Sequence, residues 1–202
     1  MSRLRRIIFL LLSIPMCANA QLIERAHLDT MPVYRSMEKA LINPQAVYRL
    51  DLSKQKLKEF PSEIFKFKNL NELHLDKNKI TFIPDSIELL KHLQIFSAER
   101  NEIENFNVKI TTLKNLYKLN LADNLIEKIP DQIEDLDSLE YLILWDNPIS
   151  YYPLAMHEMS QLKYLDLLNN QMNAVTQERL RAALPNCKII FSPPCNCMEG
   201  VE

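Results

Sequence analysis

Three side chains able to support nucleophilic chemistry recur at a fixed interval: Asp51, His74 and Ser97 stand 23 residues apart. On consecutive strands of one sheet they fall in a single outward column, where carboxylate, imidazole and hydroxyl could relay a proton. The surroundings argue against catalysis. Strand N–H groups are committed to the sheet and leave no oxyanion hole, and no nearby glycine admits a substrate to the backbone. The chain is expected not to be an enzyme and to need no cofactor. A second cluster, Asp76, Glu99, Asp123 and Asp146, forms an acidic strip with Lys54, Lys77 and Arg100 beside it. Calcium needs six to eight converging oxygens, so a solvated, salt-bridged rim is expected there and no metal. His92 and His157 read as solvated side chains of an outer limb.

Cysteine chemistry is confined to the ends. Cys187, Cys195 and Cys197 lie within eleven residues, and their spacing lacks the paired sets of a zinc site. A disulfide from Cys187 to Cys195 or Cys197 is expected to pin the tail to the last strand. At the other end, Arg3, Arg5 and Arg6 precede the apolar run Ile7–Pro15 and the small residues Ala18-Asn19-Ala20. That order predicts an export signal over 1–20, cleaved near Ala20, because the apolar run is shorter than the roughly 20 residues of a membrane span. Acylation at Cys17 is disfavoured by Met16, where a small residue is wanted. The mature protein is expected to be secreted, periplasmic or on the cell surface.

The elements that position these residues follow from the period. Val47, Leu70, Leu93, Leu116, Leu139 and Leu162 are each 23 residues from the last. The apolar pairs Leu50/Leu52, Leu73/Leu75, Phe96/Ala98, Leu119/Leu121, Leu142/Leu144 and Leu165/Leu167 keep step with them. So do the amides Gln55, Asn78, Asn101, Asn124, Asn147 and Asn170. Alternation makes each pair a short strand with its leucines inward. Each amide can satisfy backbone groups left unpaired by the turn that follows. The return limb carries Pro61, Pro84, Pro130 and Pro153, which suit an irregular or 3-10 wall. With one glycine in 202 residues, proline is the expected device for turning the chain.

This pattern resembles the leucine-rich-repeat family from Val47 to Phe191, and bacterial secreted members in particular. Gln55 replaces the usual asparagine, and Asn107 the usual proline. The resemblance implies an α/β right-handed horseshoe with a parallel concave sheet and a mostly irregular or 3-10 convex side. A stack of this kind needs lids. A helix over 32–41, with Val33, Met37 and Leu41 on one side, is expected to cover the first unit. A second helix, capped by Thr176 and running over 177–184, precedes a last strand over 187–191 that falls one residue early for the period. The expected organisation is a signal at 1–20, a helical cap at 21–46, and repeats at 47–175 with units starting at 47, 70, 93, 116, 139 and 162. A C-terminal cap at 176–192 and a flexible tail at 193–202 complete it.

The resemblance also implies binding on the concave face, and the outward positions can be read directly. They are Arg49, Glu72, Ile95, Lys118, Tyr141, Tyr164; then Asp51, His74, Ser97, Asn120, Ile143, Asp166; then Ser53, Asp76, Glu99, Ala122, Trp145, Leu168. The early rows are charged. The last two gather Tyr141, Ile143, Trp145, Tyr164 and Leu168, residue types that mark interfaces when exposed together. The expected function is recognition of a protein or peptide at these five residues; the alternative is a structural or self-associating cell-surface protein using the same patch. The net charge of −2 gives no reason to expect a nucleic-acid partner, and no second segment approaches membrane-spanning length.

Overall fold

The computed structural model describes residues 22–195. The repeated strand triplets form β2 (Arg49–Asp51), β3 (Glu72–His74), β4 (Ile95–Ser97), β5 (Lys118–Asn120) and β6 (Tyr141–Ile143), followed by the longer β7 (Tyr164–Leu167). Two more strands extend the sheet, β1 (Val33–Tyr34) at one end and β8 (Lys188–Phe191) at the other. All eight are parallel and lie in sequence order. Between β2 and β7 the register advances by 23 residues per strand, Arg49 against Glu72 and onward to Tyr141 against Tyr164. The three outward columns therefore stand as the sequence sets them. At about 4.8 Å per strand the sheet is about 34 Å across.

Between strands the chain returns through five-residue 3-10 turns, Ser62–Lys66, Asp85–Leu89, Val108–Thr112, Asp131–Asp135 and Leu154–Glu158. Proline precedes four of them. Asn107 precedes the fifth with φ of −67°, its side chain accepting from Lys109 N–H and donating to the Ile83 carbonyl. An asparagine thus supplies by hydrogen bonding the geometry that proline supplies by its ring. Ile64, Ile87, Ile110, Ile133 and Met156 are buried from this wall, and the strand leucines from the other side, into one continuous core. Each fully buried large aliphatic contributes roughly 1.5–3 kcal/mol.

The amide ladder joins the units. Asn124 donates to the carbonyls of Ala98, in the unit before, and Leu121, in its own, and accepts from Ile103 N–H. Asn101 and Asn147 repeat the pattern. Gln55, in the first unit, reaches instead to the Arg35 carbonyl at 3.0 Å, which its extra methylene allows.

Proline does not turn the tight corner after each strand, as the sequence reading expected. Lys54, Lys77, Arg100, Asp123, Asp146 and Asn169 occupy it at the 23-residue period, all with φ between 51° and 63°, and Lys56 joins them at 59°. This is the left-handed region, disfavoured by roughly 1–2 kcal/mol for a residue with a Cβ and least so for Asn and Asp. Each corner N–H from Lys54 to Asp146 donates to the next unit, as Lys77 does to the Glu99 carbonyl, so the stack holds the strained conformation.

The ends differ from expectation in three ways. Val33 and Tyr34 are not helical: a β-branched and an aromatic residue after Pro32 pair with Arg49 and Leu50, and α2 (Met37–Ile42) begins only after Ser36 caps it. The C-terminal helix α3 runs Ala174–Ala183 with Asn173 as its cap, which accepts from Thr176 N–H; Thr176 lies inside the first turn. Strand β8 pairs Tyr164 with Lys188, a step of 24, so it falls one residue late rather than early because the helix before it lengthens the unit.

Cys187 carries a free thiol, whose pKa is pushed up to about 11 by burial. The expected bridge from Cys187 is not formed; Cys195 is disulfide-bonded, and its partner is not Cys187. The expected export signal over 1–20, with Cys17 and Cys197, lies outside the described residues. Among the described residues no helix is long and apolar enough to cross a membrane.

Candidate functional site

The face of the sheet divides into two regions with different chemistry. Across β2–β5 its polar side chains satisfy one another. Arg49 grips Glu72 with two donors, Nε to Oε2 at 2.7 Å and Nη2 to Oε1 at 3.1 Å, and its Nη1 donates to the carbonyls of Asp29 and Met31. His74 Nε2 lies 2.8 Å from Glu72 Oε1, and its Nδ1 is 3.6 Å from Asp76. Ser97 Oγ donates to Asp76 Oδ1 at 2.5 Å, and the same oxygen accepts from Glu99 N–H. Glu99 in turn accepts from Asn120 Nδ2.

The electrostatics follow from that geometry. Burial alone lowers the pKa of His74, but the hydrogen bonds and charges of Asp76 and Glu72 outweigh it and raise the value to about 9. Burial likewise raises Glu72 and Asp76, yet the first is held below its ordinary value by His74 and Arg49 and the second by His74, Ser97 and Glu99 N–H. His74 is therefore an imidazolium at neutral pH, locked between two carboxylates. Asp51, His74 and Ser97 share a column but form no relay: Asp51 faces Arg35 at 3.6 Å and accepts from Ser53 N–H, while Ser97 bonds to Asp76. Glu72 and Ser97 are also buried, although their positions point outward from the sheet.

The rows on β6 and β7 are different. The rings of Tyr141 and Tyr164 lie 6.5 Å apart at 35° to one another. Tyr141 is 36% and Leu168 39% exposed, with Ile143, Trp145 and Tyr164 half-buried among them. The five residues singled out from the sequence occupy two adjacent strand rows in register. Ala122, in the row before, is fully buried although its position points outward. Tyr164 O–H donates to Asp166, and Asp166 accepts from Leu168 N–H, so the hydroxyl of this tyrosine is engaged within the patch.

Two contributors escaped sequence reasoning. Strand β8 adds a further row: Lys188 Nζ sits 5.7 Å over the Tyr164 ring, and Ile190 stands in register with Asp166. The 24-residue step hid them. The second is an N-terminal strap, residues 22–31 with the short helix α1 (Arg25–Leu28), which runs beside the strand starts. Ile23 exchanges hydrogen bonds with Asn71 and Gln94, and Arg25 lies 4.0 Å over the Tyr117 ring while pairing with Glu140 at 2.7 Å. Glu140 also accepts from Lys163. No periodicity marks this segment, so only its partners reveal it.

The expected rim is only partly salt-bridged. Arg100 pairs with Glu99 and Asp123, Asp76 is consumed by His74 and Ser97, and Asp146 accepts from Asn169. His92 is half-buried rather than solvated; its Nδ1 is buried without a hydrogen-bond partner among the described residues, and burial lowers its pKa.

Comparison with known proteins gives a consistent picture. A leucine-rich repeat region matches residues 72–189, more than half the chain. Among solved structures, a leucine-rich-repeat protein of Leptospira interrogans superposes with a TM-score of 0.64 at 29% identity, over 81% of this chain and 49% of that one. The ectodomain of a plant membrane receptor kinase from Arabidopsis thaliana, in complex with Casparian strip integrity factor 2, superposes at 0.60 with 25% identity, over 70% of this chain and 18% of that one. An internalin of Listeria monocytogenes shares the fold at 21% identity and a TM-score of 0.58, over 73% of this chain and 42% of that one. The chain thus spans about half the length of the Leptospira protein and under a fifth of the plant ectodomain. No curated protein sequence matches it.

Proposed function

The chain belongs to the leucine-rich-repeat family, and from that premise we propose that it is an exported recognition module that holds a protein or peptide on the last rows of its sheet face. Tyr141, Ile143, Trp145, Tyr164 and Leu168 form the contact surface, with Lys188 and Ile190 at its margin. The observation that carries the reading is the pair of tyrosine rings, Tyr141 exposed, beside half-buried Trp145, on a face whose other half is closed by its own ion pairs. Large aromatic surfaces of this kind dominate binding energy where they meet a partner. The family's fold is a common protein-interaction module, and the plant ectodomain was solved with a peptide factor bound. Export is supported by the basic, apolar and small-residue order of 1–20.

The test begins with a random peptide library selected on the folded chain. Selected peptides should lose at least tenfold in affinity when Trp145 and Tyr164 are replaced by alanine, with the circular dichroism spectrum unchanged. Unaltered affinity overturns the proposal. Sedimentation over a range of concentrations addresses self-association through the same patch: a dimer that dissociates in the Trp145→Ala variant would assign the surface to a second copy.

A further inference from the structure

Opposite the strap, along the strand-end edge, the corners of the first three units carry cations. Lys54, Lys77 and Arg100 stand one above another at the 23-residue period, and Lys56 and Lys79 form a second row two residues on. With Lys58 they make six cations, all exposed. Of these six, only Arg100 has an ion-pair partner among the described residues. The run then stops: the next corners are Asp123 and Asp146, and Glu102 follows Lys79 in the second row.

Conformation makes this arrangement informative. Lys54, Lys56, Lys77 and Arg100 are all left-handed, the state that Asn, Asp or Gly adopts most easily. The later units use the easier residues, Asp123, Asp146 and Asn169, at the same corner. The early units keep long cationic side chains where a less strained choice serves the backbone equally well, and strain retained in this way points to use.

We propose that these corners form a binding site for a linear anionic polysaccharide, distinct from the aromatic rows and independent of what they hold. Two parallel rows of charge stepping at the strand spacing match a linear polyanion better than a compact anion. Five of the six cations are lysine, which reads charge without the bidentate geometry that arginine brings to a planar group. No exposed aromatic residue lies within the two lysine-bearing segments, 54–58 and 77–79, as the stacking of single-stranded nucleic acid needs. Lysine-rich patches are a signature of heparin binding as well as of nucleic-acid binding, and the absence of stacking rings here favours the first.

Heparin is the probe, with poly-glutamate and duplex DNA as competitors, in fluorescence titrations at several salt concentrations. The wild-type chain should bind heparin in preference to both. A variant carrying Lys54→Asn, Lys56→Asn and Lys77→Asn should bind at least tenfold more weakly, with the slope of log affinity against log salt shallower by about three, yet resist urea at least as well as wild type. Lys58→Gln with Lys79→Gln, at positions free of strain, provides a second variant and should weaken binding several-fold, while Trp145→Ala should leave it intact. The proposal is overturned if wild type does not bind heparin, if the lysine variants bind it normally, or if poly-glutamate or DNA binds as tightly.

Discussion

The two halves of the sheet face share one scaffold and divide its outward positions between opposite tasks. On β2–β5 those positions hold Arg49, Glu72, His74, Asp76 and Ser97, joined so fully that little is left to offer a partner. On β6 and β7 they hold rings and aliphatic chains, of which Tyr141 and Leu168 are exposed and Ile143, Trp145 and Tyr164 half-buried. A desolvated ion network is poor evidence of net stability, but breaking it is costly because the surviving charge stays buried. Removing a half-exposed ring costs little folding energy, because much of its surface already meets water. The early rows therefore hold the fold, and the late rows are those we propose for binding.

The largest expected effect breaks the first half of this comparison. Glu72→Ala should destabilise the chain by about 3 kcal/mol, since it removes the carboxylate that Arg49 and His74 share on a nearly closed surface. Tyr141→Ala should cost under about 1 kcal/mol. Urea unfolding of both variants measures the contrast, and equal costs would erase it. Cutting the ladder is the control. Asn101→Ala and Asn147→Ala each remove donors to two buried carbonyls and should cost about the same, on the order of 2–3 kcal/mol. The scaffold would then be equivalent in both halves, leaving the difference on the face.

The pH profile sharpens the contrast. His74 is raised from 6.5 to about 9, so its contribution is full below pH 6.5 and is lost as pH rises through 9. Glu72 and Asp76 are lowered, so theirs is present above their ordinary values of 4.5 and 3.8 and is lost as pH falls through the lowered ones. The network is strongest between about pH 5 and 6.5. At roughly 1.4 kcal/mol per pH unit, His74 accounts for at most about 3 kcal/mol between pH 6.5 and 9. His74→Gln should flatten the stability curve over that window, and Trp145→Ala should leave its shape unchanged.

The scaffold was legible in the sequence because one period fixes three things together: the strand register, the ladder and the buried wall. That is why Arg49, Glu72, Ile95, Lys118, Tyr141 and Tyr164 stand in one column as read. The aromatic rows were legible for the same reason. What escaped lies where the period fails or says nothing. Lys188 and Ile190 follow a 24-residue step, and the strap has no repeat at all. The pairing of His74 depends on side chains reaching along as well as across strands: Glu72 and Asp76 are two residues away on either side, whereas the column reading looked only to Asp51 and Ser97. The corners were misread because proline is visible in a sequence and a left-handed lysine is not.

Those corners supply the smallest effect and a last test of the division. Lys77 and Asp146 occupy equivalent positions, with φ of 57° and 51°. Neither forms an ion pair among the described residues, but Asp146 accepts a hydrogen bond from Asn169 at 2.7 Å. Glycine removes the Cβ clash at either site and also loosens the unfolded chain, two effects that oppose each other. For lysine the clash is the larger, so Lys77→Gly should raise stability by about 0.5 kcal/mol. Aspartate tolerates the left-handed region and loses a bond, so Asp146→Gly should lower stability by a similar amount. Thermal unfolding of the two variants side by side resolves the sign. If both were stabilised, the aspartate corners would be as strained as the lysine ones, and the early units would no longer be distinguished by a charge kept at conformational cost.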